Sequence, residues 1–131
     1  MVGFVTENNQ TFAGRHLLVD FFQCQHNASM EEISSVMIKA CKATGATVLF
    51  HHAHPFEGDG SSGAVILAES HASWHQWPEN SFVAIDFFVC GDCDPTLALP
   101  LLRQLFEPQQ DRKSTRLNSS HTDISRMPSS A

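Results

Sequence analysis

Apolar positions along the first 110 residues fall into runs of two kinds. Arg15 to Cys24 (RHLLVDFFQC) is dense in Leu, Val and Phe, which suits a buried strand better than an amphipathic helix. Ser29-Met-Glu-Glu32 then reads as a capping box, because the Ser hydroxyl and the Glu carboxylate can satisfy the first free amides of a helix. Met30, Ile33, Met37, Ala40 and Thr44 follow at helical spacing, and Gly45 is placed to end the turn. A second strand begins over Ala46 to Phe50 and runs into His51, His52 and His54. Gly58 to Gly63 (GDGSSG) has the composition of a mobile turn. Ala64 to Ala68 and Phe82 to Cys90 are further apolar strands, with the polar loop Trp77 to Ser81 before the last.

Asp94-Pro95 has the form of an N-cap with Pro at the first helical position, and Leu97, Leu101 and Leu105 would line one face of a second helix. Pro100 falls at its sixth position. An interior Pro costs about 3 kcal/mol, so the spacing predicts a kink or a short first turn. Residues 1–14 read as a loose polar leader. The order strand, helix, strand, strand, strand, helix predicts an α+β fold, a two-layer sandwich with both helices on one face of a mainly antiparallel sheet.

Composition narrows the partners. The 131 residues include ten Phe and no Tyr, enough for one modest core. Residues 1–110 carry four basic side chains (Arg15, Lys39, Lys42, Arg103) against twelve acidic ones, a balance of −8. Such a body repels phosphate backbones and suits a cationic small molecule, so nucleic acid is not an expected partner. No apolar run nears the ~20 residues that span a bilayer, and no basic-then-apolar leader opens the chain, so no membrane association and a cytoplasmic location are expected. Cys24, Cys41, Cys90 and Cys93 are too few and too irregular for a secreted disulfide framework, and they read as free thiols.

The character changes at Asp111. DRKSTRLNSSHTDISRMPSSA holds six Ser in 21 residues, no aromatic residue and no apolar period, and its composition predicts disorder. The string resembles the conceptual translation of a common sequencing adapter, with DRKSTRLNSSH matching its constant part, TDI overlapping the variable index and SRMPSSA matching its distal part. The expected division is therefore a domain over 1–110 and an adapter-derived tail over 111–131, with the natural residues after Gln110 missing.

Gly60 to Glu79 (GSSGAVILAESHASWHQWPE) and Phe82 to Gly91 (FVAIDFFVCG) carry the chemistry. Together with His16-Leu-Leu-Val-Asp20, His54-Pro-Phe56 and Asp94-Pro95, they resemble the small prokaryotic-type S-adenosylmethionine decarboxylases, which are pyruvoyl-dependent and made as proenzymes. The ordered pattern of a Gly/Ser turn, an apolar strand, Glu-Ser-His, a His before Trp-Pro-Glu, and Asp-x-Phe-x-Cys-Gly is specific, and the similarity extends from about Arg15 to Phe106.

The resemblance implies a self-processing lyase that turns S-adenosylmethionine into its decarboxylated form, the aminopropyl donor for spermidine. Removing carbon dioxide from an α-amino acid needs an electron sink that ordinary side chains lack. In the implied chemistry Ser70 attacks the Glu69 carbonyl, the chain splits between residues 69 and 70, and a pyruvoyl cofactor remains on the downstream piece to form a Schiff base with the substrate amine. His75 matches the processing base, Ser62 an assisting hydroxyl, and Cys90 the acid that returns a proton to the α-carbon. Phe56 matches an aromatic that stacks on adenine, and Glu79 a carboxylate for the ribose hydroxyls. The resemblance also implies a homodimer in an α/β/β/α arrangement, with Ser70 and Cys90 from one copy and Phe56, Ser62, His75 and Glu79 from the other.

Plainer readings stand beside these. His71 and His75 could share a metal on a helix, but the apolar strand before them and Pro78 after them oppose a helix, and in an extended chain His71, Ser73 and His75 share a face. His52 and His54 fall on one face and His51 on the other, as partly buried residues with backbone partners, and no metal is assigned. Cys90-Gly-Asp-Cys93 is a lone CxxC, weak as a redox motif, with Cys93 incidental and Cys24 and Cys41 core thiols. Asp86 suits hydrogen bonding within the sheet at least as well as catalysis. Rival functions are a pyruvoyl decarboxylase of ornithine or arginine, an inert partner subunit, and a metal-dependent hydrolase built from the histidines.

Overall fold

The computed structural model describes residues 4–117. Its main body is a six-stranded sheet built from β3 (Gly14–Cys24), β4 (Val48–Pro55), β5 (Ser61–Leu67), β6 (Ser70–Trp77), β7 (Phe82–Cys90) and β8 (Pro108–Leu117), after a small hairpin of β1 (Val5–Glu7) and β2 (Gln10–Phe12). The order across the sheet is β4-β5-β6-β7-β3-β8, and every pairing is antiparallel. Helices α1 (Met30–Ala43) and α2 (Leu99–Phe106) cover one face, so the expected two-layer α+β sandwich is the observed one.

The strand pattern explains the layering. Alternate residues of β3 (Leu17, Val19, Phe21) and β7 (Val83, Ile85, Phe87, Val89) are buried, and they join Val65, Leu67, Ala72 and Trp74 in a single core with Ile33, Met37, Leu102 and Phe106 of the helices. Among the described residues, no element covers the other face of the sheet. Helix α1 begins with the expected capping box: Ser29 Oγ accepts from the Glu32 amide at 3.0 Å, and Glu32 Oε1 accepts from the Ser29 amide at 2.9 Å. Gly45 follows its C-cap with φ of +100°, a conformation in which a side chain would be strained.

Several expectations are corrected. Residues 1–14 are not a uniform leader, since β1 and β2 form a hairpin within them. Ser61 to Gly63 belong to β5, which shortens the turn before it. Strand β6 was hidden because its buried side includes Gln76, whose amide donates to the Ala28 carbonyl at 3.1 Å and so ties the strand to the segment entering α1. The short first turn expected from Pro100 is present: a 3₁₀ turn over Pro95–Ala98 takes up the start, and α2 begins at Leu99, so Pro100 sits in the first turn of α2, where its missing N–H is not needed. That restart also rotates the buried face, which is Leu99, Leu102 and Phe106, with Leu97 exposed.

Residues 111–117 are strand rather than disordered. Glu107, at φ of +50°, turns the chain from α2 into β8, which pairs with β3 from Cys24↔Pro108 to Arg15↔Leu117. Ladder hydrogen bonds need backbone only, so a segment with no apolar alternation can still fill an open sheet edge. Arg103 Nε donates to Asp111 Oδ2 at 3.0 Å, and the Arg112 guanidinium lies 5.6 Å from the centre of the Phe22 ring. The rest of the expected tail, 118–131, lies outside the described residues. Among the described residues no helix is long and apolar enough to cross a membrane.

Candidate active site on the β5–β6 hairpin and the open sheet face

Strands β5 and β6 are joined by a two-residue turn, Ala68-Glu69, closed by the pair Leu67↔Ser70. Glu69 has φ of +65°, the left-handed region that costs a residue with a Cβ about 1 to 2 kcal/mol. The next side chain is equally unusual: Ser70 Oγ is buried and has no hydrogen-bond partner. A buried polar atom left unpaired costs about 1–3 kcal/mol. The Glu69–Ser70 peptide bond thus joins a residue in the left-handed region to one whose buried hydroxyl has no hydrogen-bond partner.

A cavity of about 320 Å³ opens beside this turn, lined by Thr47, Ala68, Glu69, Cys90, Asp92 and Cys93 among others. The structure therefore brings Cys90 to the Glu69 side of the hairpin. Cys24 and Cys41 are core thiols, and burial alone pushes them up to about 11 and about 12.

The remaining candidates sit at the far end of β6. Ser62 Oγ and His75 Nδ1 share a hydrogen bond of 2.7 Å across the pair Ser62↔His75. His75 stacks on Trp77 with centroids 5.8 Å apart, Trp77 contacts Phe56 at 5.9 Å, and Trp77 stacks on Phe82 at 5.6 Å. Gly60 makes the Phe56 position possible, because a Cβ there would lie 2.4 Å from the Gln76 carbonyl oxygen and 2.9 Å from the Phe56 ring. Glu79 is exposed on the 3₁₀ turn Pro78–Asn80, next to Trp77. An open aromatic hollow of about 530 Å³ lies beyond, lined by Phe22, Trp77, Asn80 and Phe82.

Ser70 and His75 are not brought together within one chain. They are five residues apart on one extended strand, about 17 Å at the usual rise, and alternation puts them on opposite faces. The predicted residues form two groups, Glu69, Ser70 and Cys90 at one end of β6 and Phe56, Ser62, His75 and Glu79 at the other.

Between the groups lies a cluster that sequence reasoning did not assemble. Asp86 Oδ2 accepts from His16 Nε2 at 2.7 Å, Ser73 Oγ donates to Asp86 Oδ1, and His71 Nε2 lies 3.4 Å from Oδ2. Burial pushes the Asp86 carboxyl up, but the His16 and Ser73 hydrogen bonds and the nearby His16 and His71 charges outweigh it and hold it below the ordinary value. His16, His71 and Asp86 offer ligand atoms within 4.8 Å of one another, as do Cys90, Asp92 and Cys93. His71 and His75 cannot share a metal, since four residues of strand separate them by about 13 Å. His51, His52 and His54 are exposed rather than partly buried, because β4 is the edge strand.

Comparison with known proteins finds relatives over most of the chain. A family model described as S-adenosylmethionine decarboxylase matches residues 15–118, across the boundary expected at Gln110. The chain is 40% identical over 99 residues to the S-adenosylmethionine decarboxylase proenzyme of Thermomicrobium roseum, covering 74% of this chain and 85% of that one. It is 42% identical over 94 residues to the proenzyme of Prochlorococcus marinus, covering 70% and 75%. The crystal structure of the adenosylmethionine decarboxylase from Aquifex aeolicus superposes with a TM-score of 0.71 at 27% identity, covering 80% of this chain and 89% of that one.

Proposed function

Because the chain belongs to the S-adenosylmethionine decarboxylase family, we propose that it decarboxylates S-adenosylmethionine with a pyruvoyl group made from its own Ser70. The observation that carries this reading is the unpaired, buried Ser70 Oγ placed after the left-handed Glu69. These residues fit the group: the peptide bond to be opened follows the residue held in the left-handed region, and the hydroxyl beside it has no competing partner.

In the processing step Ser70 Oγ bonds to the Glu69 carbonyl carbon, and the peptide C–N bond breaks as the nitrogen takes a proton. The resulting ester frees the Ser70 amine and lets Glu69 leave the left-handed conformation. His75 then removes the Ser70 α-proton, and the ester C–O bond breaks to leave Glu69 as a carboxylate. Water replaces the nitrogen, ammonia departs, and a pyruvoyl ketone caps residue 70. That ketone supplies the electron sink for the carbon dioxide that leaves the substrate. Cys90 holds the proton returned to the α-carbon, Phe56 stacks on the adenine, and Glu79 accepts from the ribose hydroxyls.

His75 cannot serve the Ser70 of its own copy at about 17 Å, so the His75, Ser62, Phe56 and Glu79 that complete a site come from a second copy. The uncovered sheet face supports this homodimer, an α/β/β/α sandwich formed when two such faces meet. Exposed Phe50 and Ile66 on that face, with half-buried Leu18 and Phe88, give it apolar surface to bury. The same reading takes residues 1–110 as the family-like domain and 111–131 as adapter-derived, with β8 standing in for a natural sixth strand. The product serves spermidine synthesis, in the cytoplasm.

Complementation tests the reading. Ser70→Ala and His75→Ala chains, each expressed alone, are expected to stay uncut and to release no carbon dioxide from carboxyl-labelled S-adenosylmethionine. Expressed together, mixed dimers join an intact Ser70 to an intact His75, so the His75→Ala chain should be cut and activity should appear. A mixed dimer with neither cleavage nor activity would overturn the shared site, and full activity in the Ser70→Ala chain alone would overturn the pyruvoyl chemistry.

A further inference from the structure

We propose that Cys90 and Cys93 are a modification site, oxidised by peroxide to a reversible intramolecular disulfide that switches the enzyme off. The switch rests on the reading of Cys90 as the proton donor; the disulfide itself rests on geometry alone. Strand β7 ends at Cys90, and the Cys93 amide donates to the Cys90 carbonyl at 2.9 Å, closing a tight turn over Gly91 and Asp92. Such a turn holds its end Cα atoms less than about 7 Å apart, near the separation that disulfides use. The two sulfurs already lie 4.0 Å apart. A disulfide needs that gap closed to about 2 Å, within the Cα separation that such a turn allows.

The two thiols differ in the way a sensing pair requires. Cys90 is half-buried, the most exposed of the four cysteines, and lines the cavity beside Glu69. Cys93 is buried, with Gly45 beside its sulfur: a Cβ on that glycine would lie 3.6 Å from Sγ. Burial, with Cys90 and Asp92 adding to it, pushes the Cys93 thiol up to about 11. A small oxidant therefore meets Cys90 first, and Cys93 waits protonated within reach.

The step balances with hydrogen peroxide as oxidant. The Cys90 thiolate sulfur attacks one peroxide oxygen, an S–O bond forms as the O–O bond breaks, and hydroxide leaves as water after taking a proton. The Cys93 sulfur then attacks the Cys90 sulfur, the S–S bond forms as the S–O bond breaks, and a second water carries off the Cys93 proton. The two thiols lose two electrons between them, and peroxide is reduced to two waters.

The test treats the full chain with hydrogen peroxide in chelator-containing buffer, alkylates the remaining thiols, and weighs the peptide that spans residues 90–93. That peptide should be lighter by two hydrogens and unalkylated, decarboxylation should fall by about 100-fold as expected for loss of a general acid, and dithiothreitol should reverse both. Cys93→Ala should match the parent before treatment and lose activity to peroxide in a form that dithiothreitol does not restore, since Cys90 then oxidises on to the sulfinic acid. Two alkylated thiols after treatment, or a sulfinic acid at Cys90 in the parent, would overturn the proposal and leave the proton-donor reading intact. A disulfide with undiminished decarboxylation would instead overturn the switch together with that reading.

Discussion

Replacing Glu69 by Gly should slow self-cleavage, and replacing it by Ala should not. At φ of +65° any residue with a Cβ carries about 1 to 2 kcal/mol of strain, whereas Gly carries almost none. The strain belongs to the uncut chain and is released as Ser70 attacks, so it lowers the barrier only while position 69 has a Cβ. At 1.36 kcal/mol per factor of ten, losing even the lower figure slows cleavage about 5-fold. Glu69 is exposed, and Ala removes its carboxylate while keeping the strain, so the ratio between the two variants isolates the backbone effect. The assay follows full-length chain disappearing on a denaturing gel after a pulse of in vitro translation. Glu69→Gly cutting as fast as Glu69→Ala would refute the idea that the left-handed turn assists the reaction.

Other consequences are open to simpler measurements. Asp86 is held below its ordinary value when folded, so its contribution to stability is complete above about pH 4 and is lost as pH falls through the lower folded value; urea titrations should show Asp86→Asn losing less stability than the parent between pH 4 and 2. Gly60→Ala forces a Cβ to within 2.4 Å of the Gln76 carbonyl at φ of +101°, and should cost about 1–3 kcal/mol in thermal unfolding and raise KM by displacing Phe56. Phe106→Ala empties a fully buried site whose ring centre lies 6.0 Å from that of Phe21, with an expected loss of about 3–5 kcal/mol in chemical denaturation.

Local signals in the sequence were good guides where they were self-contained. The Ser29 to Glu32 box and the Gly45 stop bound α1 because every group involved is close in the chain. Strands β3 and β7 were legible from dense apolar runs, each interrupted by one Asp, Asp20 and Asp86. Strand β6 was not, because its buried positions include a polar Gln76 whose partner, Ala28, is 48 residues away. Strand β8 carries no apolar alternation and exists only because β3 leaves an edge to fill.

The site divides in the same way. Residue types and order pointed to Ser62, Ser70, His75 and Cys90, and the Ser62 to His75 hydrogen bond joins two of them. The left-handed Glu69 was invisible, since nothing marks a Glu for the conformation that Gly usually takes. The contact of His16 with Asp86, 70 residues apart, required the register of β3 against β7.

Intact mass spectrometry of the purified chain, with and without a carbonyl-reactive hydrazide, bears most directly on self-cleavage at Ser70. Two fragments, residues 1–69 and 70–131, are expected, with the second lacking a free amino terminus and gaining one hydrazide. A folded chain that stays in one piece and takes up no hydrazide would contradict it.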